Sequence, residues 1–214
     1  NITVRLVPTS ASISSEQCEY KYGFDYNNLT NDLVLDEGFP VKKGCKIYIK
    51  CENRPQFNST AYLRIEIESN DDSTEVAVGG NIESMAKFEN DDMLALSYHG
   101  LFSDNNLITD ASKLYIGKIS SSGCKYLFSG CVRLKIAPAI LPCLQLESFC
   151  YHNMFSLCSA LEKAPILPAR DGAPACYMLM FQDVLHGDKL HNIICLLKPY
   201  SNDYASGLLS DRTG

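Results

Sequence analysis

The chain has no tryptophan among its 214 residues. It has no apolar run approaching the roughly 18 residues that a spanning helix needs, so no segment reads as a transmembrane helix. It has no Gly-rich phosphate loop, no Gly-x-Ser-x-Gly elbow and no His-Glu-x-x-His pair. Nucleotide binding, serine hydrolysis and zinc proteolysis are therefore left without their usual local machinery. Positive charge is in the minority, 19 Lys and Arg against 25 Asp and Glu, for a net charge of −6. Such a surface repels phosphate backbones and argues against nucleic acid as a partner. The chain opens Asn1-Ile-Thr-Val without an initiator Met, and the expectation is an exported protein whose leader has been removed.

What the chain does have is a repeated phrase: Phe, a few residues, then Leu opening an apolar stretch. It reads Phe102-Ser-Asp-Asn-Asn-Leu107, Phe128-Ser-Gly-Cys-Val-Arg-Leu134, Phe155-Ser-Leu-Cys-Ser-Ala-Leu161 and a blurred copy from Phe181 to Leu190. The Phe residues are spaced by 26, 27 and 26, within the period of about 20–29 residues of leucine-rich repeats. A repeat of this size cannot bury its apolar face alone, so it stacks on its neighbours and leaves an extended surface. Phe102, Phe128, Phe155 and Phe181 are expected to form a buried spine. Leu107, Leu134, Leu161 and Leu190 are expected to form a second column.

Cysteine is plentiful, at ten residues. Oxidised pairs in an exported protein are one reading. The register favours another: Cys124, Cys150 and Cys176 are spaced by 26 and 26, and Cys131 and Cys158 by 27. Cysteines in step with a repeat occupy one column each, where the thiol serves as a small buried apolar group. Cys18, Cys45 and Cys51 lie outside the repeats, and one disulfide among them stays open.

Residues 1–75 alternate polar and apolar, as in Ile2-Thr-Val-Arg-Leu-Val7 and Tyr62-Leu-Arg-Ile-Glu-Ile-Glu68. Period-two patterns broken by short turns predict a small antiparallel domain, a β-sandwich. Asn70-Asp-Asp-Ser-Thr74 is a turn signal, and residues 76–82 are expected to bridge to the next unit. Residues 76–200 are predicted to hold three to four repeats with short helical turns. Pro138, Pro142, Pro165 and Pro168 keep each strand to a few residues, because proline cannot donate to a central ladder. Residues 201–214 read as a tail or cap. The fold class is thus mixed and mostly β: an N-terminal antiparallel β-sandwich followed by a short leucine-rich-repeat solenoid.

The repeat resembles that of the BspA-like leucine-rich-repeat surface proteins of anaerobic Gram-negative bacteria, Cys-Tyr-x-x-Met-Phe-x-x-Cys-x-x-Leu-x-x-Ala-Pro-x-Leu-Pro-Ala. Cys150-Tyr-His-Asn-Met-Phe-Ser-Leu-Cys-Ser-Ala-Leu161, Ala164-Pro-Ile-Leu-Pro-Ala169 and Cys176-Tyr-Met-Leu-Met-Phe181 carry the likeness. The copies at Phe102 and Phe181 depart from it, with Asn105 and Val184 in place of Cys. The resemblance implies export, residence at the cell surface or in the periplasm, a lipid anchor beyond these residues as one option, and adhesion without catalysis.

The candidate chemistry is sparse. Cys150 with His152 is the nearest thiol–imidazole pair, and His186, His191, Cys176 and Cys195 are the zinc candidates, in a spacing that fits no closed zinc site. Glu66, Glu68, Asp71, Asp72 and Glu75 surround a turn without a calcium-loop pattern. Tyr20, Tyr22 and Tyr26 share parity on one predicted strand, with Tyr48 on another; where exposed, these are the contact candidates for a protein or a glycan. The expectation is a non-catalytic secreted or surface module that binds a host or environmental protein or glycan and needs no cofactor. A ligand-free structural spacer is the alternative, and an exported hydrolase a minor one.

Overall fold

The computed structural model describes residues 1–55, 57–86, 88–89, 92–93, 96–184, 189–190, 192–198, 206 and 208. Its strands are β1 (Ile2–Pro8), β2 (Glu19–Gly23), β3 (Asn31–Leu33), β4 (Phe39–Val41), β5 (Tyr48–Asn53), β6 (Leu63–Ser69), β7 (Val76–Asn81), β8 (Phe88–Glu89), β9 (Asp92–Met93) and β10 (Ile108–Tyr115). Helix is almost absent: among the described residues only Ile82–Met85 form a 3₁₀ turn, capped by the Asn81 side chain. The sheets are small, and none closes into a barrel.

The N-terminal part holds two three-stranded antiparallel sheets, β4-β1-β6 and β3-β2-β5. Period-two alternation sets the register. On one face Leu6 lies opposite Ile65 and Val4 opposite Ile67, while the other face sets Arg5 opposite Glu66 and pairs Arg5 with Glu68. In the second sheet Tyr20 faces Leu33 and Cys51 from the centre, and all three are buried. The rings of Tyr22 and Phe39, one from each sheet, stack at 4.0 Å.

Outside β10 and a few single bridges, residues 96–184 form turns and irregular chain where short helices were predicted. In the turns that carry the Phe phrase, every fourth residue has a left-handed backbone: Leu96, Gly100 and Asp104; Ser122, Tyr126 and Gly130; Phe149, Asn153 and Leu157; Ala175, Leu179 and Asp183. An α-helix cannot propagate through such residues. The amides instead divide into two sets. Leu101, Leu127, Met154 and Met180 donate to the carbonyl three residues back, closing each turn on itself. Alternate amides reach the next turn: Phe102 donates to Leu127, Phe128 to Met154, Phe155 to Met180 and Phe181 to Leu208, all at 2.9–3.0 Å. A left-handed non-glycine residue costs about 1–2 kcal/mol, and these inter-turn bonds, each worth about 1 kcal/mol net, offset much of that.

A second ladder runs beside the first. β7 pairs in parallel with β10, and single parallel bridges continue through Asp110–Ile136–Lys163, Ile140–Ile166 and Leu167–Cys195. Bridges replace strands here because Pro138, Pro142, Pro165 and Pro168 interrupt the donors. One apolar core runs from Val4 to Val184 through both halves.

The halves join at Asn105. Its Nδ2 donates to the carbonyls of Ile65 (2.6 Å) and Phe102 (3.0 Å), and its Oδ1 accepts from the Ile67 amide (3.0 Å). The Ile65 amide donates to Leu101 at 2.7 Å. The edge of β6 therefore covers the first turn. Arg54, wholly buried, adds a second link: its guanidinium lies 4.1 Å from the Phe57 ring centroid and donates to Pro55 O and Ser97 Oγ.

Candidate functional site

The repeat columns are structural. The rings of Phe102, Phe128, Phe155 and Phe181 stack in sequence at 5.3, 5.7 and 5.6 Å, within 15° of parallel. Leu134 and Leu161 are fully buried six residues after their Phe, but Leu107 is only half-buried. Ile108 holds that position in the first turn and is fully buried. Leu190 packs on the core from its edge.

Cys131 and Cys158 sit three residues after their Phe and donate to the Phe carbonyls of the preceding turn, Phe102 O at 3.0 Å and Phe128 O at 3.1 Å. Asn105 and Val184 fill the same buried position in the outer turns. The even spacing of Cys124, Cys150 and Cys176 hides an offset, since the step from Phe128 to Phe155 is the longer one. Cys150 and Cys176 lie five residues before their Phe, whereas Cys124 lies four before, where the other turns carry Tyr98, Tyr151 and Tyr177. The rings of Tyr151 and Tyr177 stack at 5.8 Å. All ten cysteines are thiols. Burial pushes Cys131 up to about 12 and raises Cys124, Cys150, Cys158 and Cys176 as well. Such thiols are poor nucleophiles.

Cys150 and His152 do not assemble into a nucleophile and its base. The Cys150 thiol points to the carbonyl of Cys176, while His152 packs between the rings of Tyr126 and Phe149. Burial, with Lys125 beside it, holds His152 down at about 4. Of the zinc candidates, His186 and His191 lie outside the described residues, and no cluster of three or more metal-ligating side chains occurs among the described ones. The acidic run is dispersed: Glu66 pairs with Arg64, Glu68 with Arg5 and Glu75 with Lys135, and Asp71 accepts from Ser73.

The tyrosines divide. Tyr20 is core, and Tyr22 is half-buried on Phe39. β2 ends at Gly23 and the chain turns, with the Asn28 amide donating to Asp25 O and the Asn27 amide to Asp25 Oδ1. That turn lifts Phe24 and Tyr26 into solvent, Tyr26 with 69% of its surface exposed. Tyr48, half-buried, meets Tyr26 edge-on at 5.7 Å and 71°. Two rings edge to face give a ligand both flat and edge contacts, with two phenolic hydroxyls at hand.

A second cluster crosses the turns and was not read from the sequence. Tyr62 meets His99 at 4.4 Å, His99 meets Tyr126 at 5.6 Å, and Tyr126 meets His152 at 5.9 Å. Lys125 Nζ lies 5.3 Å from the Tyr126 ring and 5.7 Å from Phe149. Gly100 makes the space for Tyr62: a Cβ there would stand 2.5 Å from the tyrosine ring. His99 and His152 are both buried. Desolvation, then Lys125, then His152 hold His99 at about 4. Aligning the copies on Phe places His99, Lys125, His152 and Met178 in one column, the only signal the sequence carries of this strip.

No described helix is long and apolar enough to cross a membrane. Comparison with family models, with curated proteins and with solved structures returns no match.

Proposed function

We propose that the chain is an exported, non-catalytic binding module for a protein or glycan, whose stacked turns form a leucine-rich-repeat solenoid of the BspA-like kind and whose two N-terminal sheets form a sandwich. The observation that carries the reading is the Tyr26–Tyr48 ring pair, with Tyr26 exposed and Tyr48 half-buried, where the same turn also exposes Phe24. An aromatic platform at a loop tip on a rigid double sheet is suited to recognition. The inter-turn ladder and ring stacks support the repeat reading. The Cys150 thiol, raised by burial, faces the Cys176 carbonyl and not His152, which packs on Tyr126 and Phe149, so this pair offers no activated nucleophile. The test is a binding screen of the purified protein on a glycan array and a panel of extracellular-matrix proteins at physiological salt. A hit that persists in salt supports the reading, and turnover of a screened glycan or protein refutes it.

One observation favours the spacer alternative. β6 seals the first turn through Asn105 and Ile65, which is how an end cap behaves. A screen without any hit supports that alternative.

A further inference from the structure

Of the cysteines outside the repeat columns, Cys18 and Cys51 come together in the second sheet. Cys51 sits in β5 opposite Tyr20. Cys18 stands two residues before Tyr20 and is buried with it. The two cysteines are therefore diagonal neighbours across an antiparallel pair, a relation that sets Cα atoms about 7–8 Å apart in regular sheet. This pair is not regular. Glu19 faces Asn53 and Tyr20 faces Cys51, so Glu52 bulges out of the ladder. Right-handed twist shortens the diagonal between the earlier residues of the two strands, here Cys18 and Cys51, and a bulge increases the twist. The two thiols are near enough that charge on Cys51 raises Cys18.

A disulfide needs Cα atoms about 4.4–6.8 Å apart. The small remaining movement falls to Cys18, which precedes β2 and whose amide reaches Ser15 O at 3.4 Å, the long end of hydrogen bonding. Cys18 also lines an open cavity of about 340 Å³ with Ser15, Lys21 and Asp32, which admits a small oxidant. Cys45 is placed apart from Cys18. It is exposed just before β5, at the end of the strand pair where Gly23 faces Tyr48. From Cys18 to Gly23 is five residues of extended chain, about 17 Å. Burial pushes the Cys18 thiol up to about 11; Cys51 adds to the rise and Arg54 opposes it. Exchange in the folded chain is therefore slow at neutral pH and quickens as pH rises.

We propose that Cys18 and Cys51 close into a disulfide under oxidising conditions, stapling the start of β2 to β5, while the buried thiols of the repeat columns stay reduced. With oxidised glutathione as the oxidant, the Cys18 thiolate attacks its disulfide and releases one glutathione thiol. The Cys51 thiolate then attacks the Cys18 sulfur of the mixed disulfide and releases the second. Two protein thiols are oxidised, each giving up its proton, and one glutathione disulfide is reduced to two thiols. The proposal stands apart from the Tyr26–Tyr48 reading. It is tested by refolding the full chain from urea in a glutathione redox buffer at about pH 8.5, where a free thiol is half ionised. Remaining thiols are blocked with iodoacetamide in denaturant, and the soluble refolded product is mapped by peptide mass without reductant. The expected result is a Cys18–Cys51 link as the main protein disulfide, with Cys124, Cys131, Cys150, Cys158 and Cys176 blocked. Cys45→Ala changes an exposed residue and should keep the link. No protein disulfide in the wild type, a main link through Cys45 or a repeat cysteine, or loss of the link in Cys45→Ala each overturns the proposal.

Discussion

Lowering the pH from 7 to 4 asks the fold to accept two protons that it excludes. His99 and His152 are buried and held at about 4 in the folded chain, against 6.5 for a free imidazole. Burial is the main cause for both, and the Lys125 ammonium adds to it. The depression corresponds to about 3 kcal/mol for His99. We take about 2 kcal/mol for His152, whose neighbour Phe149 is partly exposed and lets solvent screen the charge. The unfolded chain takes up these protons below about pH 6.5 and the folded chain only near 4. Their contribution is therefore complete above about pH 7, falls through the window from 6.5 to 4, and is flat below it. Asp71 and Asp110, held low by hydrogen bonds from Ser73 and Ser112, lose their contribution only at lower pH, so the two effects separate. Urea unfolding at a series of pH values should show the wild type losing about 5 kcal/mol across the window. A His99→Gln/His152→Gln double variant should lose no more than about 1 kcal/mol there. Equal pH dependence in the two proteins, or the His99 and His152 resonances, assigned by their loss in the double variant, titrating near 6.5 in the folded wild type, would refute the reasoning.

Other expectations follow from the same packing. Phe128→Ala removes a ring stacked on both sides and should cost about 3–5 kcal/mol in denaturant unfolding, more than Phe102→Ala at the edge of the column. Asn105→Ala strands two carbonyls and an amide at the join between sheet and turns, and should cost about 2–4 kcal/mol; hydrogen exchange should then quicken first at Ile65, Ile67 and Phe102. Alkylation of the native protein by iodoacetamide, followed by mass, should label Cys45 first, as the one exposed cysteine, and leave Cys131 and Cys158 unlabelled until the fold opens.

The sequence disclosed those parts of the fold that depend on period. Alternation in residues 2–7 and 63–67 foretold β1 and β6 because a pleated strand with one dry face admits no other pattern. The even spacing of Phe102, Phe128, Phe155 and Phe181 pointed to one column, and their four rings stack in sequence. Local conformation was hidden. Tyr126, Leu157 and Leu179 take left-handed φ values that their side chains do not favour, and the bonds to adjacent turns impose them. Leucine identity also misled: Leu107 holds the residue type, but Ile108 holds the register. The tyrosine parity failed at Tyr26, since β2 ends at Gly23 and the turn that follows obeys no strand alternation. The His99–Tyr126–His152 strip was illegible because its members stand a full turn apart and differ in chemistry.

The central claim is recognition without chemistry, through the aromatic platform at the β2–β3 turn. The most direct measurement takes the strongest hit from the glycan and matrix-protein screen and compares its affinity for the wild type and for Tyr26→Ala/Tyr48→Ala, with the ligand analysed for breakdown after long incubation. The account predicts an affinity loss of about tenfold or more, an unchanged melting temperature and an intact ligand. Undiminished binding by the double variant, or cleavage of the ligand by the wild type, would contradict it.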